Sequence, residues 1–251
     1  MQASRESTVV LGIDVGATYI KRAIVNDRDE LVTAVDRVLT PYPCSPDRLV
    51  SEVVDQIRMA DCARVGVGFP GEFHDGVVVE PGNLSRSGGI LTDIDPALHA
   101  SWMGFPLQAA LRRESGADVR VVNDAALAAL GCAVGEGREL VFTLGTAFGI
   151  ALVVDGSLER IRDVGAVLFL DGRTYDQTLG EPSRAQDEGR WATWLRRAVE
   201  EFVSEFFAET VHFGGGNARR VDLNSFDDIP AHFVLNDNNA SLLGAAKLFR
   251  D

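Results

Sequence analysis

Two neighbouring polar residues, Asn123 and Asp124, lie where the sequence predicts the end of a strand and the start of a helix. Both residue types are favoured at helix N-caps, which is the structural interpretation. The chemical interpretation is a carboxylate at the C-terminal edge of a strand, where α/β proteins build their sites. A carboxylate in that place could accept the proton of a hydroxyl group.

Three glycine-containing turns could bind phosphate. The first, residues 14–18, offers backbone N–H groups and the Thr18 hydroxyl to phosphate oxygens, and Asp14 could hold a hydrated magnesium ion. The second, residues 144–149, repeats that chemistry. Taken alone, either is also typical of an ordinary hairpin turn. The third, residues 214–217, contains three glycines, which allow a flat ligand to approach the backbone closely.

Other signatures of chemistry are absent or incomplete in the sequence. Residues 66–71 match GxGxxG after a strand, but Pro70 and Gly71 lead into another turn instead of a helix, which argues against dinucleotide binding. The sequence contains no P-loop and no GxSxG motif, and its four histidines lack metal-ligand spacing. A dinucleotide-binding fold, a P-loop nucleotide site, a serine hydrolase and a histidine metal centre are therefore disfavoured.

Composition and charge limit the partners and the cellular compartment that we expect for this protein. The chain has 251 residues, 46% of them hydrophobic, and a formal net charge of −13, which disfavours partners such as nucleic acid or an anionic membrane. No apolar run approaches the roughly 20 residues that span a bilayer. The three cysteines are far apart and suit a reducing compartment. We therefore expect a cytoplasmic protein.

The elements that position these turns follow the same pattern in both halves of the chain. Residues 8–14 and 20–26 predict a hairpin, and residues 140–144 and 149–154 predict a second one. Between and after these hairpins, the sequence predicts further strands at residues 31–39, 64–69, 118–122 and 211–213. Helices are predicted at residues 49–59, 102–115, 125–134, 188–207 and 240–249. The aromatic stripe of the helix at 188–207 is interpreted as core.

Six stretches stand in a distinctive order: LGIDVGATYIK, GVGFPG, VVNDAALAALG, FTLGTAFGIALVVDG, HFGGGNA and NDNNASLLGAA. Together they resemble the repressor–ORF–kinase (ROK) sugar kinases, and the length is closest to polyphosphate-type glucokinases. The resemblance implies an α/β, two-lobed actin-like ATPase (RNase H-like) fold with an interlobe cleft. It implies an N-terminal lobe over residues 8–115, with the helix at 240–251 packed back on it, and a C-terminal nucleotide-binding lobe over 116–239.

The resemblance also implies roles for individual residues. Asp124 matches the catalytic base, and Asp14 is the candidate magnesium ligand. The positions that match sugar ligands are Asn83, Asn123, Asp124 and Asp163. The positions that match nucleotide or phosphate ligands are Asp14, Gly16, Thr18, Gly145, Thr146, Gly149, Gly214, Gly215, Gly216 and Asn217.

Three departures from the family pattern leave open the alternative that the protein is catalytically impaired. Ala17 and Ala147 replace glycines of the two phosphate turns, and alanine is penalised wherever a positive φ is needed. The ExGH sugar signature is replaced by Asp163-Val164-Gly165-Ala166, so the acid is shorter and the histidine is lost. Glu181 could replace the lost contacts.

The activity that the resemblance implies is Mg²⁺-dependent phosphoryl transfer from ATP or polyphosphate to a hydroxyl of a small-molecule sugar or sugar-like substrate. The alternative is a catalytically impaired, kinase-derived sensor of sugar or nucleotide. The sequence leaves the sugar, the donor and the oligomeric state open, a homodimer being one option.

Overall fold

The computed structural model describes residues 9–89 and 92–250, which form two compact units. The first unit runs to Leu127 and takes in the chain again from Ser241, and the second covers Ala128–Ala240. This boundary lies after the predicted one at 115/116 because the strand Asp118–Asn123 pairs with Arg64–Phe69 in the sheet of the first unit. Residues 8 and 251, the outer limits of the predicted lobes, lie outside the described residues.

Strands and helices alternate along the described chain. The strands are β1 (Val10–Val15), β2 (Tyr19–Val25), β3 (Asp36–Leu39), β4 (Arg64–Phe69), β5 (Glu72–His74), β6 (Val77–Glu80), β7 (Asp118–Asn123), β8 (Arg138–Leu144), β9 (Phe148–Val154), β10 (Ser157–Glu159), β11 (Leu168–Leu170), β12 (Arg173–Thr174), β13 (Thr210–Gly214) and β14 (His232–Leu235). The α-helices are α1 (Pro46–Ala60), α2 (Pro96–Trp102), α3 (Leu107–Ser115), α4 (Asp124–Cys132), α5 (Tyr175–Leu179), α6 (Glu181–Gln186), α7 (Glu188–Phe206) and α8 (Ala240–Lys247). Short 3₁₀ helices cover Gly82–Ser85, Ala218–Arg220 and Leu223–Phe226.

The sheet of the first unit has the strand order β3-β2-β1-β4-β7. The predicted hairpin is present as β1 and β2, and its antiparallel register places Asp14 opposite Lys21. Strands β1, β4 and β7 are parallel. Their C-terminal ends therefore meet at one edge of the sheet, which brings Asp14 and Asn123 to the same edge. The predicted strand at 31–39 is shortened to β3.

The helices of the first unit pack on this sheet through a core that includes α1, α2 and α3. The helix predicted at 102–115 is present only from Leu107, as α3, because α2 ends at Trp102 and the helix is broken between them. Gly104, with φ +74°, and Pro106 lie in the break. The side chain of Trp102 is fully buried, and its indole N–H donates to the carbonyl of Cys44 at 2.8 Å.

Helix α8 packs closely on β1 and β4. A Cβ on Gly12 would lie 2.7 Å from the carbonyl oxygen of Leu242, and one on Gly66 would lie 2.7 Å from the Cβ of Ala245. Glycine is therefore needed at both strand positions for the helix to approach. Gly66 of the GxGxxG match thus serves packing.

The sheet of the second unit has the strand order β10-β9-β8-β13-β14. It repeats the first pattern, since β8 and β9 form an antiparallel hairpin and β13 is parallel to both β8 and β14. The predicted turn at Asp155-Gly156 joins β9 to β10, and both residues have positive φ, as the tight hairpin turn of this residue pair requires.

Helix α7 supplies much of the second core. Its stripe of Trp191, Leu195, Ala198, Val199, Phe202 and Val203 is buried as predicted. Phe207, the last residue of the predicted helix, is 77% exposed because it ends the helix in the left-handed conformation. None of the described helices combines the length and the apolar character that crossing a lipid bilayer demands.

Candidate functional site

The first glycine turn carries a charged cluster at the end of β1. The Asp14 carboxylate accepts a hydrogen bond from the Ser241 hydroxyl at 2.8 Å, and Lys21 Nζ lies 3.6 Å from the same oxygen. The side chain of Asp14 is 15% exposed, so it is partly removed from water. This arrangement holds the Asp14 carboxylate in a fixed position at the edge of the sheet.

The remainder of the first turn is held by backbone contacts. Gly16 N–H donates to the carbonyl of Tyr19 at 3.0 Å, and the Thr40 hydroxyl donates to the carbonyl of Gly16 at 2.7 Å. Thr18 is exposed. Ala17 is not among the described residues with positive φ, so the strain expected from replacing glycine does not arise.

Asn123 and Asp124 lie at the junction of β7 and α4. Asn123 Oδ1 accepts from the backbone N–H groups of Ala125 at 2.9 Å and Ala126 at 3.1 Å, which is the N-cap role predicted as the structural interpretation. Asp124 is the first residue of α4, and its Oδ1 accepts from Ala125 N–H at 2.8 Å. A carboxylate at a helix N-terminus is favoured by the helix dipole.

Gly68 and Gly71 allow neighbouring segments to pack closely against this junction. A Cβ on Gly68 would lie 3.2 Å from the Cα of Asp124, so this glycine makes room for the start of α4. The amide of Asn123 donates to the carbonyl of Gly71 at 3.0 Å. A Cβ on Gly71 would lie 2.2 Å from the carbonyl oxygen of Glu80. These contacts join the Asn123 junction to the loop after β6, in which Asn83 follows Gly82.

Asn83 lies in the 3₁₀ helix Gly82–Ser85, and Tyr42 is its neighbour on one side. The Tyr42 hydroxyl donates to the carbonyl of Asn83 at 3.5 Å. Burial raises the pKa of Tyr42 to about 12, with a further increase from Cys44, so the phenol stays a hydrogen-bond donor at neutral pH. Within the first unit, Asp14, Asn123 and Asp124 therefore lie along one sheet edge, and Asn83 lies on a loop packed against it.

The second unit joins its two glycine turns to each other. Asn217 N–H donates to the carbonyl of Leu144 at 2.9 Å, and its amide donates to the carbonyl of Gly145 at 3.4 Å. The turn at 144–149 and the segment 214–217 thus form one structure. Thr146 is half-buried beside them, and Gly149 continues the turn into β9.

The glycines at positions 145 and 214–216 differ in whether the structure leaves room for a side chain. Gly215 has φ +85°, and a Cβ there would lie 2.4 Å from the carbonyl oxygen of Leu144, so folding requires glycine. A Cβ on Gly145 or Gly216 would meet nothing within 4 Å, and one on Gly214 would make an ordinary contact. The backbone at Gly145 and Gly216 therefore faces open space. Ala147, like Ala17, has no positive φ.

Glu181 lies beside this structure. Its carboxylate forms two 2.7 Å hydrogen bonds with the Arg184 guanidinium, and its N–H donates to the carbonyl of Gly145 at 2.9 Å. Hydrogen bonds from Arg184 lower the pKa of Glu181, and Asn217 and Arg220 add to that effect. The carboxylate is thus tied to an arginine next to Gly145 and Asn217.

Asp163 and Ala166, in the segment that departs from ExGH, are both exposed. Asp163 Oδ1 accepts from the N–H of Gly165 at 2.9 Å, so the carboxylate contacts its own backbone.

Three side chains that support the two turns were not predicted from the sequence: Lys21, Ser241 and Asp176. Asp176 Oδ1 accepts from Phe148 N–H at 2.8 Å. Of the three, only Lys21 could have been found from the sequence. It is one of two lysines in the chain, and the register of the predicted hairpin places it opposite Asp14. Within the described residues, no three His, Cys, Asp or Glu side chains form a metal cluster.

Comparisons by sequence match part of this chain. Residues 10–162 match the model of the ROK family. The chain is 27% identical over 164 residues to a glucokinase from Halalkalibacterium halodurans, a match covering 59% of this chain and 44% of that protein. It is 26% identical over 162 residues to a bifunctional enzyme NanE/NanK from Brucella melitensis, covering 63% of this chain and 29% of that protein. The match spans less than half the length of these curated relatives.

Comparisons by structure cover nearly the whole chain. An inorganic polyphosphate/ATP-glucomannokinase from Arthrobacter sp. strain KM matches with a TM-score of 0.78 and 28% identity, covering 96% of this chain and 98% of that one. A ROK family glucokinase from Streptomyces griseus, solved with glucose and AMPPNP, matches with a TM-score of 0.73 and 19% identity, with the same coverage of both chains. The second likeness concerns the fold alone. The predicted α/β, actin-like ATPase fold class is confirmed.

Proposed function

The chain belongs to the ROK family, and we propose that it is a sugar kinase, which transfers a phosphoryl group from ATP or polyphosphate to a hydroxyl of a sugar or sugar-like substrate. The observation that carries the proposal is Asp124, a carboxylate held at the junction of β7 and α4 within the matched residues. The likeness to a glucokinase and to a glucomannokinase supports it.

Asp124 acts as the general base in this proposal. Its carboxylate accepts the proton as the sugar oxygen forms a bond to phosphorus and the bond to the donor's leaving oxygen breaks. The hydrogen bond from Ala125 N–H at 2.8 Å orients the carboxylate. In phosphoryl transfer, positioning and electrostatics supply most of the rate enhancement, so a fixed carboxylate is more effective than a mobile one.

Each unit carries one candidate phosphate-binding glycine turn, at residues 14–18 in the first and 144–149 in the second. Thr18 and Thr146 offer hydroxyls, and the open backbone at Gly145 and Gly216 allows close approach. Asp14 suits Mg²⁺, which proteins usually hold through one or two carboxylates together with substrate phosphates. A bound magnesium ion would neutralise phosphate charge. The formal charge of −13 favours ATP over long polyphosphate.

Asn83 and Asn123, with Asp124, bind the end of the sugar that carries the reacting hydroxyl. We expect the opposite end to be loosely held, because Asp163 contacts its own backbone and Ala166 has no polar side chain. Glu181 does not compensate in this proposal, since Arg184 occupies its carboxylate. Plain glucose bound in the family's usual way is therefore not the expected acceptor.

A coupled assay over a panel of sugars, run with Mg·ATP and with Mg·polyphosphate, tests the proposal. We expect turnover with at least one sugar and a glucose KM above the millimolar range. Asp124→Asn, purified in the same way, controls for contaminating kinases. Wild-type protein that matches Asp124→Asn with every sugar and both donors would contradict kinase activity. A sub-millimolar glucose KM with robust turnover would contradict the acceptor assignment alone.

The alternative function, an impaired sensor, rests on three departures. One is Ala166, in place of the signature histidine, and the others are Ala17 and Ala147, where strain was expected. Neither Ala17 nor Ala147 has a positive φ. Asp14, Thr18, Asp124 and Thr146 are all retained. No structural observation therefore favours the sensor over the enzyme.

A further inference from the structure

The turn between β8 and β9 is held by α5 and the two residues that follow it. Asp176, in α5, accepts a hydrogen bond from Phe148 N–H at 2.8 Å. Glu181 N–H donates to the carbonyl of Gly145 at 2.9 Å, and a Cβ on Gly180 would lie 2.7 Å from the carbonyl oxygen of Thr146. These contacts fix the turn at both ends and in its middle.

Asp176 holds a second segment as well. Its N–H donates to the carbonyl of Gly165 at 3.0 Å. A Cβ on Gly165 would lie 2.9 Å from both carboxylate oxygens of Asp176, so only glycine allows this approach. One residue therefore joins the turn at 144–149 to the segment 163–166, the same segment that departs from the family's sugar signature.

The amide that Asp176 accepts from has little access to water. Phe148 is 3% exposed, and its ring stacks on that of Tyr175 with centroids 5.6 Å apart. A buried main-chain N–H that loses its acceptor must find another one. The turn would then have to rearrange around Gly145 and Thr146.

We propose that Asp176 is a positioning residue for phosphoryl transfer, because its carboxylate orients the turn whose Gly145 and Thr146 contact the donor phosphates. This inference rests on the proposed function. Asp176 acts as a hydrogen-bond acceptor for Phe148 and does not touch the reacting atoms. Its oxygen matters in this role more than its charge.

Two substitutions separate the oxygen from the charge. Asp176→Asn keeps an oxygen acceptor for Phe148 N–H and removes the charge, whereas Asp176→Ala removes both. Gly165→Ala acts from the other side, because its methyl group would displace the carboxylate. The matched control is Asp187→Ala, in the same unit, since Asp187 Oδ1 accepts from Arg190 N–H at 3.0 Å as the N-cap of α7.

The experiment measures kcat, donor KM and sugar KM of the full chain, together with calorimetric affinities for Mg·ADP and tripolyphosphate. We expect Asp176→Ala and Gly165→Ala to lose about 10–100-fold in kcat/KM for the donor, the scale of a misplaced reacting group. Asp176→Asn should stay within about threefold of wild type, as expected when the hydrogen bond survives. Asp187→Ala should lower Tm and leave the kinetics unchanged.

Equal kinetics and affinities for Asp176→Ala and Asp187→Ala would overturn the inference. Equal losses in Asp176→Asn and Asp176→Ala would also overturn it, because charge would then be the property that matters. If Asp176→Ala fails to fold, the other two variants test the inference. Gly165→Ala should lose kcat/KM for the donor, and Asp176→Asn should retain it. Should the wild type transfer no phosphate, the proposed function fails, and the affinities for Mg·ADP and tripolyphosphate still decide the role of Asp176.

Discussion

The two hairpin turns, between β1 and β2 in the first unit and between β8 and β9 in the second, share an architecture but differ in their supports. The first turn follows a carboxylate, Asp14, that contacts Lys21 and Ser241. The second follows Leu144, and its supports bind main-chain groups: Asp176 accepts from Phe148 N–H, and Glu181 N–H donates to a carbonyl.

This difference indicates that carboxylates have different roles in the two units. In the first unit, ionisable side chains are held at a sheet edge, where they can bind a cation or take a proton. In the second, the Asp176 carboxylate and the main-chain N–H of Glu181 hold the backbone in a shape that leaves Gly145 and Gly216 open. Substitutions of carboxylates should therefore change chemistry in the first unit and geometry or stability in the second.

The largest effect is expected for Asp124→Asn, which removes the proposed base while keeping the side chain's size. The rate should fall by about 10²–10⁴-fold, the usual contribution of a general base. The Tm should stay close to wild type. Asp118→Asn, at the exposed start of β7, the strand that leads into α4, is the control and should keep wild-type kcat. Near-wild-type turnover of Asp124→Asn would remove this residue from the mechanism.

A large effect on stability is expected for Glu139→Gln in the second unit. Glu139 is fully buried, and its carboxylate accepts from Val134 N–H at 2.8 Å, Gly135 N–H at 2.6 Å and His212 Nε2 at 2.9 Å. Gln keeps one acceptor oxygen but replaces the other by an NH₂ group, so at least one buried donor loses its acceptor, at a cost of about 1–3 kcal/mol of unfolding free energy. Denaturant titration measures it, with exposed Glu159→Gln as the control. Unchanged stability would contradict the structural role.

The same pair predicts how stability depends on pH. Burial disfavours the charged form of Glu139, but its hydrogen bonds with Val134, Gly135 and His212 outweigh burial and lower the pKa below the ordinary 4.5. Because the folded-state pKa is lowered, the stabilisation is complete above pH 4.5 and is lost as the pH falls through the lowered value. The difference in unfolding free energy between wild type and Glu139→Gln should therefore shrink below pH 4.5. A constant difference down to pH 3 would refute this assignment.

Asp14→Ala should have an intermediate effect. Loss of a charged hydrogen-bonding group that faces a cation or phosphate typically lowers kcat/KM by about 10–100-fold. The Mg²⁺ concentration for half-maximal rate should rise, which a titration at fixed donor concentration measures. Asp36→Ala, which removes an exposed carboxylate paired with Arg22 on the neighbouring strand, should leave both quantities unchanged. An unaltered Mg²⁺ requirement in Asp14→Ala would exclude Asp14 as the metal ligand.

The smallest effect is expected for Gly145→Ala, which adds a methyl group where nothing lies within 4 Å. Tm should not change. Donor KM should rise about fivefold, the equivalent of one lost main-chain hydrogen bond to phosphate. Gly215→Ala provides the contrast, since its φ of +85° and the Leu144 carbonyl oppose any side chain. It should lower Tm. If Gly145→Ala instead lowers Tm and spares donor KM, the turn is structural only.

Local sequence patterns predicted the hairpins and the major helix because those elements depend on neighbouring residues. Short apolar runs bounded by glycine turns indicated β1, β2, β8 and β9, and a continuous apolar stripe indicated α7. The break between α2 and α3 was missed because helical spacing continues across it, although Gly104 and Pro106 were available as signals.

The site was predictable only in part, for a similar reason. Motif order singled out Asp14 and Asp124 as candidates. Lys21 was missed, although the hairpin register that places it opposite Asp14 was an available signal. Ser241 is 227 residues from Asp14 along the chain, so no local pattern links the two. Asp176 contacts main-chain atoms, which every residue possesses, and such contacts leave no mark on the partner's sequence.

The packing of α8 on Gly12 and Gly66 has a consequence for the order in which the polypeptide matures on the ribosome. The first unit draws on residues from both sides of the second, which is itself continuous from Ala128 to Ala240. Strands β1 and β4 leave the ribosome early, yet the helix that covers their glycines is translated after the whole second unit. The second unit can therefore fold first. The face of the first unit's sheet that carries these glycines stays uncovered until residues 241–250 have been translated.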